Sequence, residues 1–206
     1  MATPLTTADV EIIEAQTVYQ GYFRIDRYRL RHRLHDGGWG AEITRELFER
    51  GQAVAILLYD PDADALVLIE QFRIGALTVG WQPWLIEVVA GIIDPGESVE
   101  QVARREVREE AGCEVLDLVP IHSYLVSPGG TSETVSVYCG WVDSRGVSGI
   151  HGLIEEGEDI RVLVIPAFEA LAMLERDELR NSATLVAMLW FALNRDKLRQ
   201  QWGGKR

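Results

Sequence analysis

The sequence predicts an α/β protein: an α/β/α sandwich built on a mixed sheet, preceded by a small antiparallel β subdomain. Three observations lead there. Much of residues 17–48 alternates polar and apolar side chains with the period of two that a half-covered strand requires. Residues 53–59 and 66–72 are apolar runs, as expected of strands covered on both faces. Residues 91–113 then read as a loop followed by a capped helix.

Taken in order, residues 1–10 are small and polar and read as a loose end. Residues 17–34 read as strand, with Tyr28, Leu30, His32 and Leu34 alternating with Arg27, Arg29, Arg31 and Arg33. Four arginines on one face could bind phosphate, but the ordinary reading is a solvated face paired with the chain's acids. Asp36, Gly37 and Gly38 make a turn, and residues 43–48 return as strand. So small a sheet buries little by itself. Gly51 marks the boundary, giving an N-terminal unit over 1–51 and a main domain over 52–206.

In the main domain, Asp60-Pro61-Asp62 turns the chain between the two apolar strands. Residues 75–84 read as loop and 85–90 as strand. Ser98 with Gln101 forms a capping box and Gly112 a helix stop, which predicts a helix over 99–111, about three turns. Strands are expected over 121–126, 133–141 and 161–164, with a loop over 143–159. Pro166 precedes a helix reaching about 176. Asn181 or Ser182 caps a last helix running through Leu185, Met188, Leu189 and Leu193.

Composition narrows the function. The chain has 206 residues, 47% of them hydrophobic, with 32 acidic against 20 basic residues and a net charge of −12. That balance argues against nucleic acid or an anionic membrane as partner, since both attract a basic face. Two cysteines, Cys113 and Cys139, make no disulfide framework, and no apolar run reaches membrane-spanning length. With no signal-peptide pattern at the start, the expected location is the cytoplasm.

The helix over 99–111 places its acids unusually. At roughly 100° per residue, Glu106 and Glu110 share an arc with Val99, Val102 and Ala103, with Glu109 at its edge, while Gln101, Arg104 and Arg108 point away. Like charges at this spacing destabilise a helix by roughly 0.2–0.5 kcal/mol even in water, and burial adds to that. Such a cluster calls for a cation, and carboxylate ligands suit Mg²⁺, with Mn²⁺ as the alternative.

The spacing of Gly91, Glu97, Arg105, Glu106, Val107, Glu109, Glu110 and Gly112 matches the Nudix box at these eight positions. Cys113 stands where an aliphatic residue is usual, a soft departure because free Cys packs like a small hydrophobe. The likeness runs from about Tyr22 to Trp190 through the strings at 29–34, 45–51, 68–73, 87–91, 127–133 and 155–161. Over that span the chain resembles the bacterial ADP-ribose pyrophosphatases of the Nudix hydrolase superfamily.

The resemblance implies metal-dependent hydrolysis of ADP-ribose to AMP and ribose 5-phosphate by a homodimer with shared active sites. It implies metal ligation by Glu106, Glu110, Glu158 and the carbonyl of Ala90, with Glu156 as general base. Glu97, Arg105 and Glu109 would hold the box together. Tyr22 would stack on adenine, Arg45, Glu46 and Arg50 would arrive from the second subunit, Arg73 of the same subunit would sit near the phosphates, and Ile92 and Ser127 would line the pocket. The alternatives are another nucleoside diphosphate sugar or a dinucleotide as substrate (GDP-mannose, NADH), or a sensor that binds ADP-ribose without cleaving it. Intact box acids argue against the sensor.

Overall fold

A computed structural model describes residues 4–205, which fall into two compact units. The first comprises the chain through Gly51 together with residues 125–134; the second comprises 52–124 and 135 onward.

The first unit is a three-stranded antiparallel sheet in the order β1 (Val10–Gln20), β2 (Arg24–His32), β3 (Ile43–Glu49). The expected loose end over 1–10 is partly ordered: Thr6 caps a 3-10 turn at Thr7–Asp9 and β1 begins at Val10, while residues 1–3 lie outside the described ones. The expected strand over 17–34 is two strands, because the chain reverses at Gly21, where Gly21 N–H donates to Phe23 O at 2.9 Å. Among the described residues of these strands only Asp26 is buried. The arginine face is solvated and paired: Arg27 with Glu46, Arg29 with Glu14 and Glu42, Arg31 with Glu11. Residues 127–131 turn back on Ser127 O and join this unit through Phe48 N–H, which donates to Gly130 O at 2.8 Å.

The second unit is an eight-stranded mixed sheet. Its strands are β4 (Gln52–Asp60), β5 (Ala65–Phe72), β6 (Trp84–Glu87), β7 (Val89–Ile92), β8 (Asp117–Leu125), β9 (Thr134–Trp141), β10 (Gly149–His151) and β11 (Ile160–Pro166). The main path runs β10-β11-β5-β4-β9-β8, with β6 paired to β5 and β7 to β4. β4 is covered on both faces, as its unbroken apolar run requires. Val54, Ile56 and Leu58 pack with Val102, Ala103, Val107 and Ala111 of helix α2 (Val99–Ala111). The alternate residue Tyr59 meets Phe191 of helix α4 (Ser182–Trp202) edge to face at 4.9 Å. Helix α3 (Ala167–Glu175) packs on β5 and β11. The α/β sandwich class expected from the sequence is present.

Three local expectations are corrected. The loop over 75–84 contains a five-residue helix, α1 (Ile74–Thr78), and is closed by Arg73 N–H donating to Pro83 O at 2.7 Å. The single strand over 85–90 is two, β6 and β7, hydrogen-bonded to different neighbours. The loop over 143–159 contains β10 and a 3-10 turn at Ile154–Glu156. In α4, Met188 is buried but Leu189 and Leu193 are exposed. No helix among the described residues is long and apolar enough to cross a membrane.

Candidate active site

Helix α2 is set by its ends and its apolar face. Gln101 N–H donates to Ser98 Oγ and Ser98 N–H donates to Gln101 Oε1, so each satisfies an orphan amide of the first turn. Gly112 closes the helix at φ +63°, and a Cβ there would meet His151 Cε1 at 2.3 Å. Burial of Val102, Ala103, Val107 and Ala111 against the sheet fixes the helix rotation. That rotation turns Arg104 and Arg108 outward to Glu100 and Glu114 and leaves the acids facing the protein.

Glu110 is 3% exposed and accepts the Ala90 N–H at 3.0 Å. Glu106, one turn earlier, lies against Gly91, the next residue of β7. Burial pushes the Glu110 carboxyl up to about 8, with Glu106 and Glu158 adding repulsion and the Ala90 N–H opposing. Burial likewise pushes Glu106 up to about 7, with Arg105 opposing and Glu109 and Glu158 reinforcing.

Arg105 links the box. Its guanidinium donates to Glu97 at 3.2 Å, Glu106 at 2.8 Å and Glu109 at 3.1 Å. Its hydrogen bond and charge hold the Glu97 carboxyl below the usual carboxylate range. Since Glu97 sits in the loop before α2 and also accepts the Asp94 N–H, one arginine ties the loop to the helix.

The acidic loop is carried to the same end of α2 by backbone. Gly152 N–H donates to Glu109 O at 3.1 Å. From there Leu153 N–H donates to Glu158 Oε2 at 2.9 Å, which turns Glu158 inward, while Glu156 stays exposed on its 3-10 turn. Glu158 is close enough to raise both Glu106 and Glu110.

Arg73 lies at the end of β5 and grips Glu87 of β6 with Nη2–Oε2 at 2.8 Å and Nε–Oε2 at 3.1 Å. Glu87 is 1% exposed, whereas the Arg73 side chain is 42% exposed. Ile92, two residues beyond Ala90, is exposed.

The remaining candidates lie in the first unit. Tyr22 is 87% exposed and stands edge-on to Phe23, which stands edge-on to Phe48. Arg50 stacks over Phe23 at 5.0 Å and pairs with Glu133 at 3.1 Å. Arg45 donates to Thr44 O, and Glu46 pairs with Arg27. Ser127 is exposed at the start of its turn.

The donor set near α2 fits a hard divalent cation. Glu106, Glu110 and Glu158 offer only oxygen, and burial holds the first two at a cost that a bound cation would relieve. Among the described residues no three His, Cys, Asp or Glu side chains form a ready-made ligand group. Instead Arg105 N–H engages Glu106, Ala90 N–H engages Glu110 and Leu153 N–H engages Glu158. Sequence reasoning passed over Glu87 as the seat of Arg73, although a lone Glu in the apolar run over 85–90 was a usable signal.

The chain matches the NUDIX domain model over residues 49–184. It is 50% identical over 194 residues to an ADP-ribose pyrophosphatase of Escherichia coli (strain K12), covering 94% of this chain and 93% of that protein. It is 41% identical over 197 residues to the ADP-ribose pyrophosphatase of Haemophilus influenzae, covering 94% and 91%. A GDP-mannose pyrophosphatase of Citrobacter koseri is 36% identical over 146 residues, covering 70% and 75%. A crystal structure of an ADP compounds hydrolase superposes with a TM-score of 0.73 at 22% identity, over 97% of this chain and 98% of that one, which speaks to the fold alone. With its box assembled on α2 and a domain match spanning most of its length, the chain belongs to the Nudix family.

Proposed function

We propose that the protein hydrolyses the pyrophosphate of ADP-ribose to AMP and ribose 5-phosphate with Mg²⁺, Mn²⁺ being the alternative ion. The observation that carries the chemistry is the pair of inward-facing carboxylates on α2, the buried Glu110 and the partly buried Glu106, each pushed well above its ordinary pKa beside the Ala90–Gly91 backbone. The substrate class follows the ADP-ribose pyrophosphatases to which the chain is half identical.

In this reading Glu106, Glu110, Glu158 and the Ala90 carbonyl would hold the cation, and a divalent charge there would offset the pyrophosphate's and lower the pKa of a bound water. Glu97, Arg105 and Glu109 hold loop and helix at fixed spacing. Glu156 takes the proton of the attacking water as its oxygen bonds to phosphorus and the bridging P–O bond breaks. Its exposure leaves it free to reach a bound ligand. Arg73, held by Glu87, meets the phosphates, and Ile92 and Ser127 line the pocket. The base is stacked by Tyr22.

Arg45, Glu46 and Arg50 reach the substrate from a second copy of the chain in a homodimer whose N-terminal strands cross to the partner. The first unit supports this, since its strands leave Val10, Ile12, Ile13 and Tyr19 exposed and bury only Asp26 among their described residues. The cytoplasm is the proposed location.

The test is to incubate the purified protein with Mg²⁺ and ADP-ribose, beside GDP-mannose and NADH, and to identify products by mass spectrometry. AMP and ribose 5-phosphate formed fastest from ADP-ribose is the expected result. Faster cleavage of GDP-mannose would move the substrate towards the Citrobacter relative's. The Glu156→Gln variant should lower kcat far more than it raises KM, and a change in KM alone would remove Glu156 from the base's role.

A further inference from the structure

Between β6 and β7 stands a single residue, Val88, at which the chain leaves one neighbour for another. Glu87 is paired with Ile69 of β5, and Val89 with Ile56 of β4. Val88 is buried, and its N–H donates to Thr184 Oγ1 at 3.0 Å, in the first turn of α4. Thr184 is fully buried. Its hydroxyl donates in turn to Asn181 Oδ1 at 3.3 Å, and the same Asn181 oxygen accepts the Thr184 N–H at 3.1 Å. The hydroxyl is thus oriented from one side and spent on one backbone amide on the other.

That amide sits between two working parts. Just upstream, Glu87 grips Arg73. Just downstream, Ala90 N–H holds Glu110, and Gly91 lies beneath Glu106. A strand that changes partner over one residue has no ladder of its own there. Its geometry depends on whatever takes the free amide.

We infer that Thr184 is a positioning residue, whose hydroxyl latches the strand switch at Val88 and so fixes the Ala90–Gly91 backbone under the Glu106–Glu110 pair and in step with Arg73. The inference rests on the proposal that Ala90, Glu106 and Glu110 hold the divalent ion. A hydroxyl that merely satisfies a buried amide would affect stability and nothing else, so the two roles separate experimentally.

Thr184→Val removes the acceptor at nearly constant volume, Thr184→Ala removes it without steric risk, and Thr184→Ser keeps it. Free Mn²⁺ is titrated by electron paramagnetic resonance against each full-length protein without substrate, with melting temperature recorded in parallel. The Val and Ala variants should each bind Mn²⁺ about tenfold more weakly, and the Ser variant within about twofold of the parent, as expected of an outer-shell hydrogen bond. Undiminished Mn²⁺ binding in the Ala variant, with a lowered melting temperature in it, would make Thr184 structural only and overturn the inference. Glu110→Gln is the control. If Glu110→Gln loses Mn²⁺ while Thr184→Ala does not, only the latch falls; if Glu110→Gln keeps it, the metal assignment falls and the latch with it. Should Thr184→Val fail to fold, the Ala and Ser variants decide.

Discussion

Where Gly91 would carry a Cβ, the Glu106 carboxylate already stands: the added atom would lie 1.8 Å from Oε1 and 2.0 Å from Cδ. The box glycine is therefore required by close approach. Its absent side chain lets an acid of α2 lie flat against the backbone of β7.

Gly91→Ala should accordingly spare the fold and damage the site. The clash is with a side chain that can swing away, so far-UV circular dichroism should be unchanged. Displacing Glu106 should raise the Mg²⁺ concentration needed for half-maximal activity by at least about tenfold, the scale of a disturbed ligand shell. An unchanged Mg²⁺ requirement would mean that Glu106 does not need to lie against Gly91.

Arg73 and Glu87 yield an asymmetric prediction. Glu87 is buried and Arg73 is partly solvated, so Arg73→Ala strands a charge while Glu87→Gln does not. Losing the arginine should cost about 2–3 kcal/mol in urea unfolding, below the full buried-pair penalty because Arg73 is partly exposed. Glu87→Gln should cost less. The double variant should recover much of the stability of Arg73→Ala but none of its kcat. Recovery of kcat as well would reduce Arg73 to a counterion.

What the sequence made legible follows from where the determining interactions lie. Helix α2 was readable to the residue because Ser98, Gln101 and Gly112 act within a few positions of its ends. The inward turn of Glu106 and Glu110 was readable because helical period alone places them beside Val102 and Ala103. The switch at Val88 was not, because residues 85–90 contain no turn residue and the amide's partner, Thr184, is 96 positions away. The five residues of α1 are too few for a helical period to show, and β10 is formed by pairing with β11. At Gly21 a signal was present and passed over, since a glycine inside an alternating run often marks a break.

Arg105 bonds three glutamates, Glu106 and Glu109 on its own helix and Glu97 in the loop before it. Arg105→Lys keeps the charge but loses the planar fork that spans them. It should lower stability by about 1 kcal/mol, a modest figure because the group is a third exposed. It should also loosen the loop carrying Glu97, read as faster amide exchange over 93–98. Equal exchange in the variant and the parent would show that the loop is held without the fork.

The pH dependence of stability carries the last prediction. Glu106 and Glu110 rise from 4.5 to about 7 and about 8 on folding, both through burial first. The folded chain therefore binds more protons than the unfolded one between these limits. Their contribution is fully present below the unfolded value and is lost as pH rises through the folded ones. In EDTA the melting temperature should carry a falling component from about pH 5 to about pH 8.5 that Glu106→Gln/Glu110→Gln removes. A cation that takes the place of those protons should reverse the loss, so the rise in melting temperature on adding Mg²⁺ should be larger at about pH 8.5 than at about pH 6. The same gain at both pH values, or an equal gain in the double variant, would place the ion elsewhere than on this pair.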